Sequence, residues 1–392
     1  LYDLVVKGGR LMDPAQGINE RKDVAVSKGK VVEVASSIST SRSRRVVDAS
    51  GKIVVPGLVD LHTHVAHDIV RLSVDPDMYC LQNGSTTVVD AGSTGELNFA
   101  SFKRYVVDRC QTGIFAFVNV ESLGMIEYCD LGPDYTDQRW ADLISGLNDA
   151  FAQYFANRKN VAALLRRNRN TVVGIKWAHH GLPLLEIARS LADDARCLIM
   201  AENRFVPDSL KYLRRGDIVT HIYVRPSSRV GQAGDGLRAN GSRGILPEFF
   251  EAKKRGILLD IGHGRGSFSW EVAAFALKEG LPPDTISTDL WVANCDGPVY
   301  DLPTTMSKLL HLGMSLEEVV EASSSRPASA IGRLGRIGTL KPGAQADIAL
   351  LKVVEGRYAL SDSFDKKRMA DKLITVTDVV KGGKVVNRSS AP

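Results

Sequence analysis

Short apolar runs alternate with segments of helical period through the middle of the chain, a pattern that predicts parallel strands covered by helices. Eight runs are expected as strands, over residues 53–62, 85–90, 115–120, 171–176, 197–202, 218–221, 257–263 and 286–289. Between them Leu182, Leu185, Ile187, Ala188, Leu191 and Ala192 share one helical face. Residues 270–279 read as a helix stopped by Gly280, with Pro282 and Pro283 beyond it. After the eighth strand, Ser315 and Glu318 have the spacing of a capping box at the start of residues 316–322. Eight strand-and-helix units over about 250 residues predict an α/β fold, a (β/α)8 TIM barrel. An open doubly wound sheet is the competing arrangement, and no GxGxxG follows the first strand to support it.

The two chain ends have a different texture. Residues 3–7, 10–12, 23–27, 31–35 and 45–48 are short extended runs, cornered by Gly8, Gly9 and residues 28–30. Similar runs return at 343–351 and 375–387, where Gly382 and Gly383 read as a hairpin turn. A small β-sandwich domain formed by both ends is therefore expected, from residues 1–52 and 334–392, around a barrel at 53–333. A length of 392 residues has room for both, because single cores rarely grow past roughly 250 to 300 residues.

Composition narrows the function classes. With 44% hydrophobic and 24% charged residues, and no apolar run near the ~18 residues of a membrane span, no membrane partner is expected. The net charge of +5 is small and its signs are interleaved, so nucleic acid is not implied. Arg166, Arg167 and Arg169, near Arg158 and Lys159, read as a solvated helix end. Cys80, Cys110, Cys129, Cys197 and Cys295 are odd in number and form no CxxC pair, which argues against a disulfide framework or a Cys-ligated zinc site. No signal-peptide pattern is seen, and the cytoplasm is the default expectation.

In such barrels the chemistry gathers where strands end at their C-terminal face. The first strand ends in His62 and His64, whose period-two spacing puts both imidazoles on one side, as metal chelation needs. The fourth ends in Lys176; a Lys in a barrel mouth loses hydration, its pKa falls, and the neutral amine can react with carbon dioxide. The resulting carbamate could bridge two metals. His221 ends the sixth strand and Asp289 the eighth, where a carboxylate beside a metal-bound water can serve as base and then as acid. Four strand ends delivering ligands in one register are hard to explain as packing alone.

This order, with the stretches 57–64, 86–93, 173–176, 216–221 and 260–268, resembles the amidohydrolase superfamily and its deacetylase branch over nearly the whole chain. The resemblance implies that His62, His64 and Asp289 bind the more buried of two divalent metals, that His221 binds the more exposed one, and that N6-carboxylated Lys176 binds both. A metal-bound hydroxide would then attack an amide or ester carbonyl of a small molecule, with Asp289 as the catalytic proton shuttle. Two zinc ions are the expected cofactors, as usual for His-rich hydrolytic sites. A homo-oligomer is compatible with the resemblance. One departure stands out: Glu202 occupies the end of the fifth strand, where the family has a His. It is read as a metal ligand, with binding of substrate or a water as the alternative. Candidate substrate contacts are His263 among glycines, Arg225, Asn119 and His179; Glu121, His180 and His67 lie close by in sequence, and His311 is given no role.

Three other functions remain open on these residues. Cyclic amide opening, as in dihydroorotase-like or hydantoinase-like enzymes, uses a similar ligand set. A heterocycle aminohydrolase is opposed by Lys176, and a metal-free scaffold is opposed by the surviving His62, His64, Lys176, His221 and Asp289.

Overall fold

The computed structural model describes residues 1–125, 157–225, 236–237 and 244–387. The apolar runs of the middle region become seven strands, β8 (Leu58–Thr63), β9 (Ser85–Ala91), β10 (Gly113–Asn119), β11 (Val172–Trp177), β12 (Leu198–Glu202), β13 (Ile218–Thr220) and β14 (Leu258–Leu259). They pair in the order β14-β13-β12-β11-β10-β9-β8, every pair parallel. Strands β8 and β9 are buried at every position, as parallel strands covered on both faces must be. The helices Arg158–Arg167, Leu182–Ala195, Pro247–Lys254 and Trp270–Lys278 cover them. Helix Leu182–Ala195 buries Leu185, Ala188, Leu191 and Ala192 of the expected face. Arg166 and Arg167 lie in the last turn of their helix and the capping box of Ser315 and Glu318 is formed in both directions.

The expected eighth strand is a short connecting segment rather than a regular strand. Even so, it is hydrogen-bonded on both sides. Thr285 bridges Asp260, and Leu290 bridges Thr63. His263 N donates to Ser287 O at 3.2 Å, and Asp289 N donates to His62 O at 2.7 Å. The first expected strand is divided at Gly57. Its first half, β7 (Ile53–Pro56), leaves the parallel sheet and pairs with the strands of the chain ends. Gly57 permits the turn because a Cβ there would lie 2.1 Å from Thr86 Oγ1.

The ends form two further sheets. One is made of β1 (Leu4–Lys7), β4 (Asp23–Ser27), β5 (Lys30–Ala35) and β6 (Val46–Asp48), in the order β5-β4-β1-β6. The other joins β2 (Arg10–Asp13) and β3 (Ile18–Arg21) through β7 to β15 (Ile348–Ser361), β16 (Lys367–Lys381) and β17 (Lys384–Val385). Leu4, Val24, Val26, Val54, Ile348 and Leu350 share one apolar core between them. Lys381 pairs with Lys384 across Gly382 and Gly383, whose φ values of +55° and +80° are those of a two-residue hairpin turn. The ribbon β15–β16 is far longer than the sequence pattern indicates, and its tip reaches back over the seventh strand's loop.

Candidate metal centre

The ends of these strands are level. Asn119 is in register with Lys176, Lys176 with Met200, and Glu202 with Thr220. Polar side chains at the last positions of adjacent strands therefore meet in one place. His62 and His64 close β8, 1% and 5% exposed. The backbone ladder between His62 and Asp289 lays the carboxylate beside them, with Asp289 Oδ1 3.3 Å from His62 Nε2 and 3.0 Å from His64 Nε2. Asp289 holds a left-handed φ of +51°, and its carbonyl accepts a hydrogen bond from Asn294 Nδ2 at 2.8 Å.

Hydrogen-bond direction fixes which imidazole nitrogens face inward. Thr220 Oγ1 donates to Asp260 Oδ2 at 2.8 Å, so toward His62 Nδ1, 2.9 Å away, it can only accept. Ser93 Oγ donates to Asp90 Oδ2 at 2.7 Å and accepts from His64 Nδ1 at 2.8 Å. His221 Nδ1 lies 2.7 Å from Gly262 O, a carbonyl that can only accept. Each ring thus carries its proton on Nδ1 and presents a bare Nε2 lone pair, the form that ligates a cation. Burial also keeps His62 neutral, with the charges of Lys176, His221, His64 and His179 acting the same way. His62, His64 and Asp289 offer ligand atoms all within 4.8 Å of one another, a donor set that suits a divalent metal ion.

Lys176, fully buried, brings its Nζ to 3.4 Å from His62 Nε2. Burial lowers its pKa, opposed by the negative charges of Glu202, Asp289, Asp260 and Asp90. The strand can carry this side chain only because a glycine faces it: a Cβ on Gly92 would lie 2.6 Å from Lys176 Cβ. Glu202 Oε1 lies 3.9 Å from His221 Nε2 and 3.2 Å from His179 Nε2, and its Oε2 accepts from the His179 backbone N–H at 2.9 Å. Burial pushes the Glu202 carboxyl up, but the charges of His179, Lys176, His221 and Arg204 outweigh it and hold the pKa down at about 2. Burial brings His179 itself down to about 4.

The remaining expected residues are distributed more widely. His263 is fully buried and stacks on Phe268 at 4.5 Å. Its Nδ1 is 2.9 Å from Gly264 O and its Nε2 2.8 Å from Lys308 Nζ, so neither ring nitrogen is left for a direct substrate contact. Arg225 donates to Ser269 Oγ and Glu271 Oε2 and covers the Phe364 ring at 4.2 Å. Asn119 is buried beside Lys176 and donates to Gly92 O at 3.1 Å. Glu121 and His180 are buried, His67 is half-buried, and His311 packs edge-on against Trp270 at 5.9 Å. Cys129 lies outside the described residues, and the other four cysteines are free. The hydroxyls of Thr220 and Ser93 and the carboxylates Asp60, Asp90 and Asp260 were not singled out from sequence as part of the site. The available signal was a carboxylate in an otherwise apolar strand, as Asp60 is in β8 and Asp90 in β9.

At the ends of a parallel sheet, two imidazoles and a carboxylate gather around a common point that could hold a metal ion. Residues 306–387 match the family described as "Amidohydrolase family". A protein named deacetylase from Agrobacterium fabrum is 34% identical over 340 residues, covering 86% of this chain and 79% of its own length. A deacetylase of Brucella anthropi is 32% identical over 372 residues, covering 94% of this chain and 88% of its own. A crystal structure of an adenine deaminase has a TM-score of 0.84 at 27% identity, covering 99% of this chain and 100% of that one. A dihydroorotase structure has a TM-score of 0.82 at 28% identity, covering 98% and 99%. The chain belongs to the amidohydrolase family, and it is a hydrolase acting on carbon–nitrogen bonds.

Proposed function

We propose that this enzyme hydrolyses an acyclic amide or acyl ester of a small molecule, as a deacetylase-like hydrolase. The convergence of His62 Nε2, His64 Nε2 and Asp289 Oδ1 at the strand ends carries this reading, together with the deacetylase names of the relatives. The parallel sheet and its hydrogen-bonded segment 285–290 are read as a closed (β/α)8 barrel over 53–333, flanked by a sandwich of 1–52 and 334–392.

In this reading His62, His64 and Asp289 hold one zinc ion, and His221 and Glu202 hold a second. The neutral amine of Lys176, losing a proton as its Nζ bonds to carbon dioxide, would become an anionic carbamate that joins them. The depressed pKa of Lys176 and the 3.9 Å between His221 Nε2 and Glu202 Oε1 support these assignments. A bound divalent ion supplies Lewis acidity, polarising a carbonyl and letting water ionise near neutral pH. The protein does the rest. The Nδ1 partners of the three imidazoles hold their lone pairs inward. Asp289 Oδ1 faces the imidazoles, and Oδ2 is assigned the proton taken from the attacking water and returned to the leaving nitrogen or oxygen. Asn119, His179 and Arg225 are retained as substrate contacts. The four free cysteines accord with a cytoplasmic setting.

A panel of N-acyl amino acids, acyl esters and cyclic amides tests the reading. Turnover of the acyclic substrates is expected, with an Asp289→Asn loss of about 10²- to 10⁴-fold in kcat. Turnover of cyclic amides alone would replace this reading by ring opening.

A further inference from the structure

Asp260 is fully buried at the end of the seventh strand, where its carboxylate gathers three hydroxyl donors. Oδ1 accepts from Thr285 Oγ1 at 2.6 Å, and Oδ2 accepts from Thr220 Oγ1 at 2.8 Å and Ser287 Oγ at 2.7 Å. Two arms run outward from Oδ2. Through Thr220 it reaches His62 Nδ1. Through Ser287, whose oxygen accepts from the Gly262 N–H at 2.9 Å, it holds the residue whose carbonyl, in the next peptide, accepts from His221 Nδ1. Gly262 fits between the arms only as glycine, since a Cβ there would lie 2.3 Å from Thr220 Oγ1 and 2.8 Å from His221 Nδ1. His64 is served by a separate relay, Ser93 to Asp90.

We propose that Asp260 is a positioning residue for both metal subsites, fixing the tautomer of His62 through Thr220 and, through Ser287, the placement of the Gly262 backbone against which the His221 ring is held. The proposal rests on the metal-site reading above. Its chemistry lies in acceptor capacity. A carboxylate can only accept, so both hydroxyls must point their protons at it and leave lone pairs for their other partners. An amide in its place presents NH₂ on one side. If that side faces Thr220, the hydroxyl turns to donate to His62 Nδ1 and the ring proton moves to Nε2, where it blocks ligation.

Metal-stripped protein titrated with cobalt(II) and followed by its visible absorption provides one test, and ¹⁵N shifts of the metal-free histidines provide a second that needs no metal. Asp260→Asn is expected to weaken both cobalt-binding events by about 10- to 100-fold. In the metal-free protein it should shift the His62 nitrogens away from the Nδ1–H pattern while leaving the tautomers of His64 and His221 unchanged. Thr220→Val should impair the His62 site alone and Thr220→Ser should restore it; Ser287→Ala should impair the His221 site alone. These single-arm variants decide the matter if Asp260→Asn does not fold. Wild-type cobalt affinity and nitrogen shifts in Asp260→Asn would overturn the proposal, as would equal impairment in Thr220→Val and Thr220→Ser. If wild type bound no cobalt, the metal-site reading would fail, while the nitrogen shifts would still test the tautomer control of His62.

Discussion

Gly264 has a φ of +51°, and a Cβ built on it would lie 2.3 Å from Asp289 Oδ2. An alanine there is strained by about 1 to 2 kcal/mol in the left-handed region and must push the carboxylate aside. Since a displacement near 1 Å at a reacting group costs about 10²-fold, Gly264→Ala should lower kcat by roughly that factor with KM little changed. Unaltered kcat would show that the oxygen has room to move. At this scale the placing of His62, His64, Lys176 and His221 at strand ends was legible in the sequence because each follows an apolar run, and that of Asp289 from its place after the last such unit. Thr220 and Ser93 were not, because a hydroxyl in or after a strand is ordinary until its partner is known. The glycines flanking His263 were read as allowing a ligand to approach; in the structure Gly262 and Gly264 make room for His221 and Asp289.

Lys308 joins the helix Leu302–His311 to the seventh strand's loop, donating to His263 Nε2 at 2.8 Å and Pro298 O at 2.7 Å. Burial lowers its pKa from 10.5 to about 7, against the raising influence of Asp362 and Asp301. Between those values the unfolded chain binds the proton more readily than the folded one, so this residue's contribution to stability grows as pH rises from 7 toward 10.5. Wild type should gain on Lys308→Met by up to about 1.4 kcal/mol per pH unit across that window, measured by urea unfolding. A difference that does not vary with pH would contradict it. Among the elements, the helix at 182–195 and the capping box were legible from periodicity and spacing. The division at Gly57 was not, since Ile53–Pro56 and Leu58–Thr63 are equally apolar and only pairing separates them. The length of β15–β16 was hidden because beyond Leu351 charged residues and Gly356 interrupt the apolar alternation. What holds the far end is the tip, where Asp362 Oδ2 accepts from Trp270 N at 3.2 Å and Ser363 Oγ donates to His263 O at 3.0 Å.

Across the whole molecule, both chain ends meet in one sheet system, and its long ribbon braces the loop that backs Asp289 and His221. Among the described residues no helix is long and apolar enough to cross a membrane. Among the described residues the strand ends assemble the His62, His64 and Asp289 donor set, so metal retention is where the account is most exposed. The most direct measurement is divalent metal content after equilibrium dialysis, for wild type beside the double variant His62→Ala/His64→Ala. The account predicts that wild type keeps at least one ion per chain and that the double variant, still folded by circular dichroism, keeps fewer. Equal retention by the two proteins, or none in wild type, would contradict it.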